Sequence, residues 1–513
     1  MASRPTRLGL HLDASQPTAL YQQLFDAIVE RIRTGAFPTG FRLPPTRVLA
    51  AELDAHRNTV VRAYTRLEEA GFVSSTVGRG TFVRASAGPR SIPAPAVVPA
   101  ALDAGPGLPW ASLVSSRVRA EPFDRIRRLA RAAAPLEHVN LTRLQPGPDL
   151  LPEALFRRCL EHVLRIHGGR ALGYGPHEGV PALRVEIAKD LSRRGVPARE
   201  EDVVVTSGSQ QAIDVVARAL LEPGDAVLLD EATYTGALQI FTAAGARSEP
   251  VAGDAEGPLP SALDAARGAK LVYLMPGHSN PTGRRISDAR RVEIVRWSKS
   301  RGVPILEDDY AADLELDPEP PLTSMRALDG DVIHVGTYSK KLMPALRIGY
   351  LLCPPALQEP LVALKHATAL GTSTLLQFAL AEFLERGYLE PHLDNVRAAY
   401  RSRRDALATA LSRHLPPSVR FDVPPRGVPI WIPLPEDLSP EAVFEAARRH
   451  GVLCSPGSMY RVGDGARGIR LCYSWETEAR LSEGGKRLGQ TISAMVKERR
   501  GRRAPAELSV GLV

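Results

Sequence analysis

Between residues 85 and 110 the sequence reads ASAGPRSIPAPAVVPAALDAGPGLPW, a stretch of alanine, proline and glycine with few charges and no hydrophobic period. Such a segment has little to bury, and its prolines interrupt helix and sheet alike, so it reads as an extended linker. It cuts the chain into a short head and a long body that must each build their own core. Size agrees, because 513 residues are too many for one core, and a 44% hydrophobic share with 24% charged residues is that of an ordinary globular chain.

In the head, Leu20, Leu24, Ile28 and Ile32 recur at helical spacing, and the run stops at Gly35 and Pro38. A second short helix is expected after Pro44-Pro45, burying Val48, Leu49 and Leu53. A third, from about Arg57, buries Val60, Tyr64 and Leu67 and ends at Gly71. FVSSTVGRGTFV then supplies two β-prone arms around Gly78-Arg79-Gly80, a hairpin signal. Three helices and a hairpin make a winged helix.

The net charge of +8 suits nucleic acid, an anionic surface or anionic small molecules as partners. Residues 1–84 hold 11 Arg and no Lys against 7 Asp plus Glu, a net of +4. Arg57, Asn58, Thr59 and Arg62 sit at the start of the third helix, where the side chains of a recognition helix reach base edges in the major groove. Arginine pairs with guanine and asparagine with adenine, each good bidentate contact discriminating by ~1–3 kcal/mol. Arg47 and the third helix's N-terminus read as phosphate clamps, and Arg79 with Gly80 as a wing tip for the minor groove. A protein-interaction module with a solvated arginine face would explain the helices but not the wing.

Beyond residue 140, helical stretches alternate with short apolar runs: DVVVTSG, AVLLDEATY, KLVYLMPG, VPILEDDY, DVIHVGTYS and IGYLLC. Each is followed by polar loop residues, the pattern of buried strands in an α/β sheet that carry functional groups at their ends. The cysteines Cys159, Cys353, Cys454 and Cys472 form no Cys-x-x-Cys pair, so no metal or redox site is expected. No run reaches ~18 apolar residues and the N-terminus has no continuous apolar segment. Neither a membrane span nor a signal peptide is expected, and the expected compartment is the cytoplasm.

Residues 43–83 resemble the GntR winged-helix family along nearly their whole length. GTYSKKLMPALRIGY (336–350) resembles the lysine motif of fold-type I pyridoxal-phosphate enzymes, in which Ser-Lys is followed seven residues later by a phosphate-gripping arginine. That resemblance makes Lys340 the Schiff-base lysine and Arg347 the phosphate anchor, with Thr337 and Ser339 offering hydroxyls to the same phosphate. Lys341 is a rival, but from it the arginine lies only six residues on.

The same family places an Asp against the pyridine nitrogen and a Tyr on the ring hydroxyl, here Asp308 and Tyr310; Asp309 is the alternative carboxylate. A carboxylate there keeps the ring protonated as an electron sink. Asn280, in SNPTG, matches a donor to the ring hydroxyl. Ser209 and Gln210, in TSGSQQA, match groups presented to the phosphate at a helix N-terminus. Tyr234 matches the aromatic stacked on the ring, Tyr174 a residue reaching the neighbouring subunit's phosphate, and Arg470 the arginine that binds a substrate carboxylate.

A winged helix, a linker and an aminotransferase-like body together resemble the MocR branch of GntR regulators. The resemblance implies an α/β fold: a winged helix-turn-helix in 1–84, the linker in 85–110 and a fold-type I aminotransferase-like domain in 111–500. Its smaller α+β part is expected at about 371–500, with a basic tail over 501–513. It further implies a homodimer with pyridoxal 5'-phosphate as cofactor, a double-stranded DNA operator as partner, and an amine or amino acid, or the cofactor itself, as effector. Gly236 stands where some relatives that respond to GABA carry an extra arginine, which makes GABA a poorer effector candidate. A working aminotransferase with an accessory head is the alternative.

Overall fold

A computed structural model describes residues 8–76 apart from 14, 16 and 17, then 80–84, 108–131, and 137–503 apart from 312, 319, 321 and 464–466. Arg79, nearly all of the 85–110 linker and residues 504–513 therefore lie outside the described residues. The chain divides into two compact units, 1–110 and 111–513.

The first unit runs α1 (Leu20–Arg33), β1 (Arg42–Leu43), α2 (Thr46–Glu52), α3 (Arg57–Glu69), β2 (Val73–Thr76) and β3 (Gly80–Val83). Its sheet has the order β1-β3-β2, all antiparallel. Leu24, Ile28, Ile32, Leu49, Val60, Tyr64, Leu67, Val73 and Val83 close one core. Val48, expected inside, is 37% exposed, and Leu53 is only half-buried. A two-turn helix offers one narrow inward stripe, and Leu49 and Ala50 occupy it. Strand β1, two residues long, is too short to leave a periodic signal.

In the second unit β4 (Val139–Asn140) precedes β5 (Val203–Thr206), β6 (Ala226–Asp230), β7 (Arg247–Val251), the small hairpin β8 (Gly253–Asp254) and β9 (Gly257–Pro258), and β10 (Ala269–Leu274). Then come β11 (Ile305–Asp309), β12 (Ile333–Thr337) and β13 (Gly349–Leu352). Seven of these form one sheet in the order β5-β13-β12-β11-β10-β6-β7. Its pairs are parallel except those of β13, which runs against both neighbours. All six apolar runs are strands of this sheet. The seventh, β7, reads RSEPV; as an edge strand it is mostly not buried and carries no apolar run.

Helices cover both faces. Ser209–Leu220 and Thr235–Ala244 pack on Val227, Leu229, Tyr273 and Leu306. On the reverse, helix Asp288–Arg301 packs on Leu228, Val272 and Ile305, and helices Pro181–Arg193 and Thr374–Glu385 on Val203, Val205 and Leu352.

A second core surrounds the antiparallel sheet β14-β17-β16 (Pro429–Pro433, Gly468–Cys472, Ser455–Pro456). It differs from the expected smaller part at 371–500 in where that part starts and in taking in a segment from the front of the unit. Helix Thr374–Glu385 belongs to the large sheet's core, whereas Val139 and Leu141 join the smaller core, with β4 pairing in parallel to β15 (Val452–Leu453). The last helix runs Glu478–Arg503, so residues 501–503 of the expected tail are helical.

Candidate cofactor site and nucleic-acid face

Side chains gather where the parallel strands end. Beyond β5 lie Ser209 and Gln210, beyond β6 Tyr234, beyond β10 Asn280, at the end of β11 Asp308 and Tyr310, and at or beyond the end of β12 Thr337, Ser339 and Lys340. The carboxyl edge of such a sheet is where open α/β folds bind ligands. Arg347 comes just before β13, and because β13 runs in the opposite sense its beginning meets the same edge.

The anchor end is built from backbone. Gly208, at φ +87°, turns the chain into helix Ser209–Leu220, and a Cβ there would come 3.0 Å from the Arg347 guanidinium. Arg347, itself left-handed at φ 49°, donates through Nη2 to the Ser207 carbonyl at 3.2 Å. A helix N-terminus facing an arginine is an anion site. Thr337 is buried and donates to Ser339 Oγ at 3.1 Å while accepting the Ser339 N–H at 3.2 Å.

The two adjacent lysines have opposite surroundings. Lys340 Nζ donates to the Leu144 carbonyl at 2.9 Å. Burial, with Arg470 and Arg347 nearby, pulls its pKa down from 10.5 to about 8. Lys341 is buried in a charge cluster, bonded to Asp313 and 3.7 Å from Asp190, and those carboxylates hold its pKa above the ordinary value against its burial.

Strand alternation separates the aspartates likewise. Asp308 shares a face with Leu306 and Tyr310, and its Oδ2 accepts from Tyr273 Oη at 2.7 Å. Burial raises it to about 6 despite that bond. Its Oδ1 and the Tyr310 hydroxyl are buried without partners. Asp309 faces the other way, with Arg194 at 3.7 Å.

Arg470, on β17, donates to Asn280 Oδ1 at 3.0 Å and to the Thr142 carbonyl at 2.8 Å, with its guanidinium 5.0 Å from the centre of the Tyr460 ring. Gln210 departs from expectation, because its side chain accepts from Tyr234 Oη at 2.8 Å and donates to the Gly236 carbonyl at 3.0 Å. That leaves its backbone N–H, in the first turn of helix Ser209–Leu220, as the group open to a phosphate. Tyr174 stands 88% exposed. Leu144, Tyr273 and Tyr460 went unnoticed in the sequence. Only Tyr273 left a signal, a hydroxyl in an otherwise aliphatic strand run.

The orphaned Asp308 Oδ1 and Tyr310 hydroxyl, an amine beside them and an anion cradle fit a phosphorylated pyridine aldehyde. The family model for aminotransferase class I and II matches residues 149–488, and that for bacterial regulatory proteins of the gntR family matches residues 20–83. The chain is 31% identical to the probable rhizopine catabolism regulatory protein MocR of Rhizobium meliloti, over 87% of this chain and 88% of that protein. The chain belongs to the MocR subfamily of GntR transcription regulators.

A further relative is the uncharacterized HTH-type transcriptional regulator YisV of Bacillus subtilis, 30% identical over 93% of this chain and 96% of that protein. Among solved structures, LysN, the alpha-aminoadipate aminotransferase of Thermus thermophilus, matches with a TM-score of 0.70 at 31% identity, over 76% of this chain and 100% of that one. That structure is complexed with N-(5'-phosphopyridoxyl)-L-leucine.

As a MocR-type regulator the chain binds DNA. His56 caps α3, its Nδ1 accepting from the Asn58 N–H at 3.2 Å. Arg57, Asn58 and Arg62 on α3 and Arg47 on α2 are exposed, while Thr59 is half-buried. Arg62 lies over the Tyr21 ring at 4.0 Å, which holds its stem against α1. Gly80, at φ +115°, opens β3 so close to Arg42 that a Cβ would sit 2.8 Å from its Nε. Sequence reasoning passed over Val61, which is 39% exposed on α3 beside Arg62. Among the described residues no helix is long and apolar enough to cross a membrane.

Proposed function

We propose that this regulator holds pyridoxal phosphate covalently on Lys340 and uses it to sense an amine or amino acid, the liganded state altering occupancy of a DNA operator. The observation that carries the reading is the contrast between the adjacent lysines. One amine is pulled toward neutrality beside an orphaned carboxylate, and the other is locked in an ion cluster.

Bound pyridoxal phosphate supplies an aldehyde at which one amine can be exchanged for another. Lys340 Nζ offers the resident amine, and its lowered pKa raises the neutral, nucleophilic fraction near pH 7. Asp308 Oδ1, its carboxylate held in direction by Tyr273, would accept a hydrogen bond from the protonated ring nitrogen and keep the proton there. Tyr310 Oη and the Asn280 amide, whose oxygen is taken by Arg470, bond the ring hydroxyl. Arg347, Ser209 and the backbone N–H groups of 209 and 210 hold the phosphate, with Thr337 and Ser339 shaping the loop. Tyr234, fixed by Gln210, covers one ring face.

Arg470 receives an effector carboxylate. A Cβ at Gly236 would lie 2.5 Å from Gln210 Oε1 and the Tyr234 ring, so a side chain there would have to displace them, and Gly236 itself offers no cation to an effector. This supports an effector other than GABA. Tyr174, exposed in one chain, completes the site of a second copy in a homodimer. In the head, Arg57, Asn58, Thr59 and Arg62 read bases, Val61 meets a thymine methyl, and Arg47 clamps phosphate, with Arg79 and Gly80 at the wing.

A ligand shifts the equilibrium only through unequal affinity for the two states. The test is footprinting of the full-length protein on the DNA flanking its gene, with and without cofactor and a panel of amines. The amine response is expected to vanish in Lys340→Ala while DNA protection persists. An unchanged amine response in that variant refutes the sensor, and many turnovers with ordinary amino acids would make the body an enzyme.

A further inference from the structure

Behind the cofactor site, on the opposite face of β11, lies a second cavity of about 470 Å³. Its volume lies within the range of small-molecule sites. Asp309, His278, Arg194, Glu315, Glu390 and Arg397 are among its walls. His278 separates it from the cofactor side, its ring 6.5 Å from that of Tyr310.

Most of the wall's guanidinium nitrogens are engaged, Arg426 with the Pro320 carbonyl at 3.2 Å and Glu315 at 3.7 Å. Arg291 donates to three carbonyls, those of Ile286, Thr323 and Pro276. Arg397 is held by the Asp313 carbonyl and Asp394. Arg194 spans Asp190, Asp313 and the Tyr350 hydroxyl. The acceptors are not so well served. Asp309 has only the 3.7 Å approach of Arg194, and Glu390 at the rim is 3.6 Å from Arg397. His278 is 4% exposed and neither ring nitrogen has a hydrogen-bond partner. Burial, and behind it the positive charge of Arg426, drives its pKa down to about 3, so at neutral pH it is an uncharged ring with one lone pair to offer.

A buried imidazole left unbonded is destabilising, because it has given up its hydrogen bonds to water. A cation with an N–H would donate to the ring's lone pair and set its charge against Asp309. We propose that this cavity is a second ligand site, for a small organic ammonium ion bound between the Asp309 carboxylate and His278 Nε2 or Nδ1. Asp309 follows Asp308 directly on β11, and its negative charge is one of the influences raising Asp308. A cation at Asp309 therefore favours ionised Asp308, and the second site adjusts the carboxylate that faces the cofactor.

The probe is N,N-dimethylbutylamine hydrochloride, a tertiary ammonium whose single N–H goes to His278 while its charge rests against Asp309, and which cannot condense with an aldehyde. Binding it thus does not depend on the cofactor reading. Calorimetry on the full-length protein is expected to give one site per chain, in wild type and Lys340→Ala alike. Asp309→Asn should weaken binding at least tenfold, and Glu390→Gln, a solvent-rim change that spares the fold, about two- to fivefold. Absence of binding, equal binding in both carboxylate variants, or loss of binding in Lys340→Ala each overturns the proposal.

Discussion

Replacing each of the neighbouring lysines with methionine is expected to produce opposite results. Lys341 neutralises Asp313 and Asp190 in the interior, and breaking a buried pair by removing one partner costs about 3–5 kcal/mol. Arg194 stays 3.2 Å from Asp313, so the lower end, about 3 kcal/mol, is expected for Lys341→Met. Lys340 is the reverse case. Its fall from 10.5 to about 8 means that at pH 7 the folded chain carries about 3 kcal/mol of uncompensated charge burial. Methionine keeps the apolar stem, so Lys340→Met should stabilise the cofactor-free protein by about 1–3 kcal/mol and abolish covalent cofactor binding.

The pH dependence has a definite sign. Between pH 8 and 10.5 the unfolded lysine still holds its proton while the folded one has lost it, so wild-type stability climbs through that window. The advantage of Lys340→Met should therefore shrink above pH 8. Thermal melts of the cofactor-free proteins from pH 7 to 10, with absorbance of bound cofactor as the second readout, decide it. Equal destabilisation by both substitutions, or a well-folded Lys341→Met that cannot hold cofactor, refutes the reasoning.

Gly236→Ala drives a methyl group into Gln210 and Tyr234, and should weaken cofactor retention at least tenfold and cost about 1–3 kcal/mol in a melt. In the head, Arg57→Ala should relax specificity at one operator position at a cost of about 1–3 kcal/mol, whereas Arg47→Ala should weaken all DNA alike and reduce the salt slope by about 1 in fluorescence-anisotropy titrations. Glu307, though buried, is held down to about 2 by His334, Ser324 Oγ and the Met325 amide. Its stabilising contribution is present above pH 4.5 and disappears as pH falls toward 2, so Glu307→Gln should melt earlier than wild type at pH 7, with the gap narrowing in acid.

The strand runs were legible because a sheet covered on both faces demands uninterrupted apolar stretches, and the reactive residues follow them directly in sequence. What escaped was whatever depends on partners distant in the chain. Gln210 could be placed at a helix start, but nothing near it in sequence announces that Tyr234 and Gly236 claim its amide. Val48 looked like core because it is apolar, yet only the packing of a two-turn helix decides which neighbour turns inward. The smaller core was misplaced for a related reason. Its strand at Val139–Asn140 comes from one end of the unit and its partner at Val452–Leu453 from the other.

The reversed strand β13 also bears on the order of assembly. It pairs with β12 immediately after the Lys340 loop, so Thr337, Lys340 and Arg347 come together through a short local closure. Asp308, Asn280 and Tyr234 must be gathered across longer stretches, and Arg470 must arrive from the far end of the unit. Short loops close at smaller entropic cost. The lysine loop with Arg347 is thus the portion of the site that can form first during refolding, before the helix that starts at Ser209 and the ring-binding groups are in place.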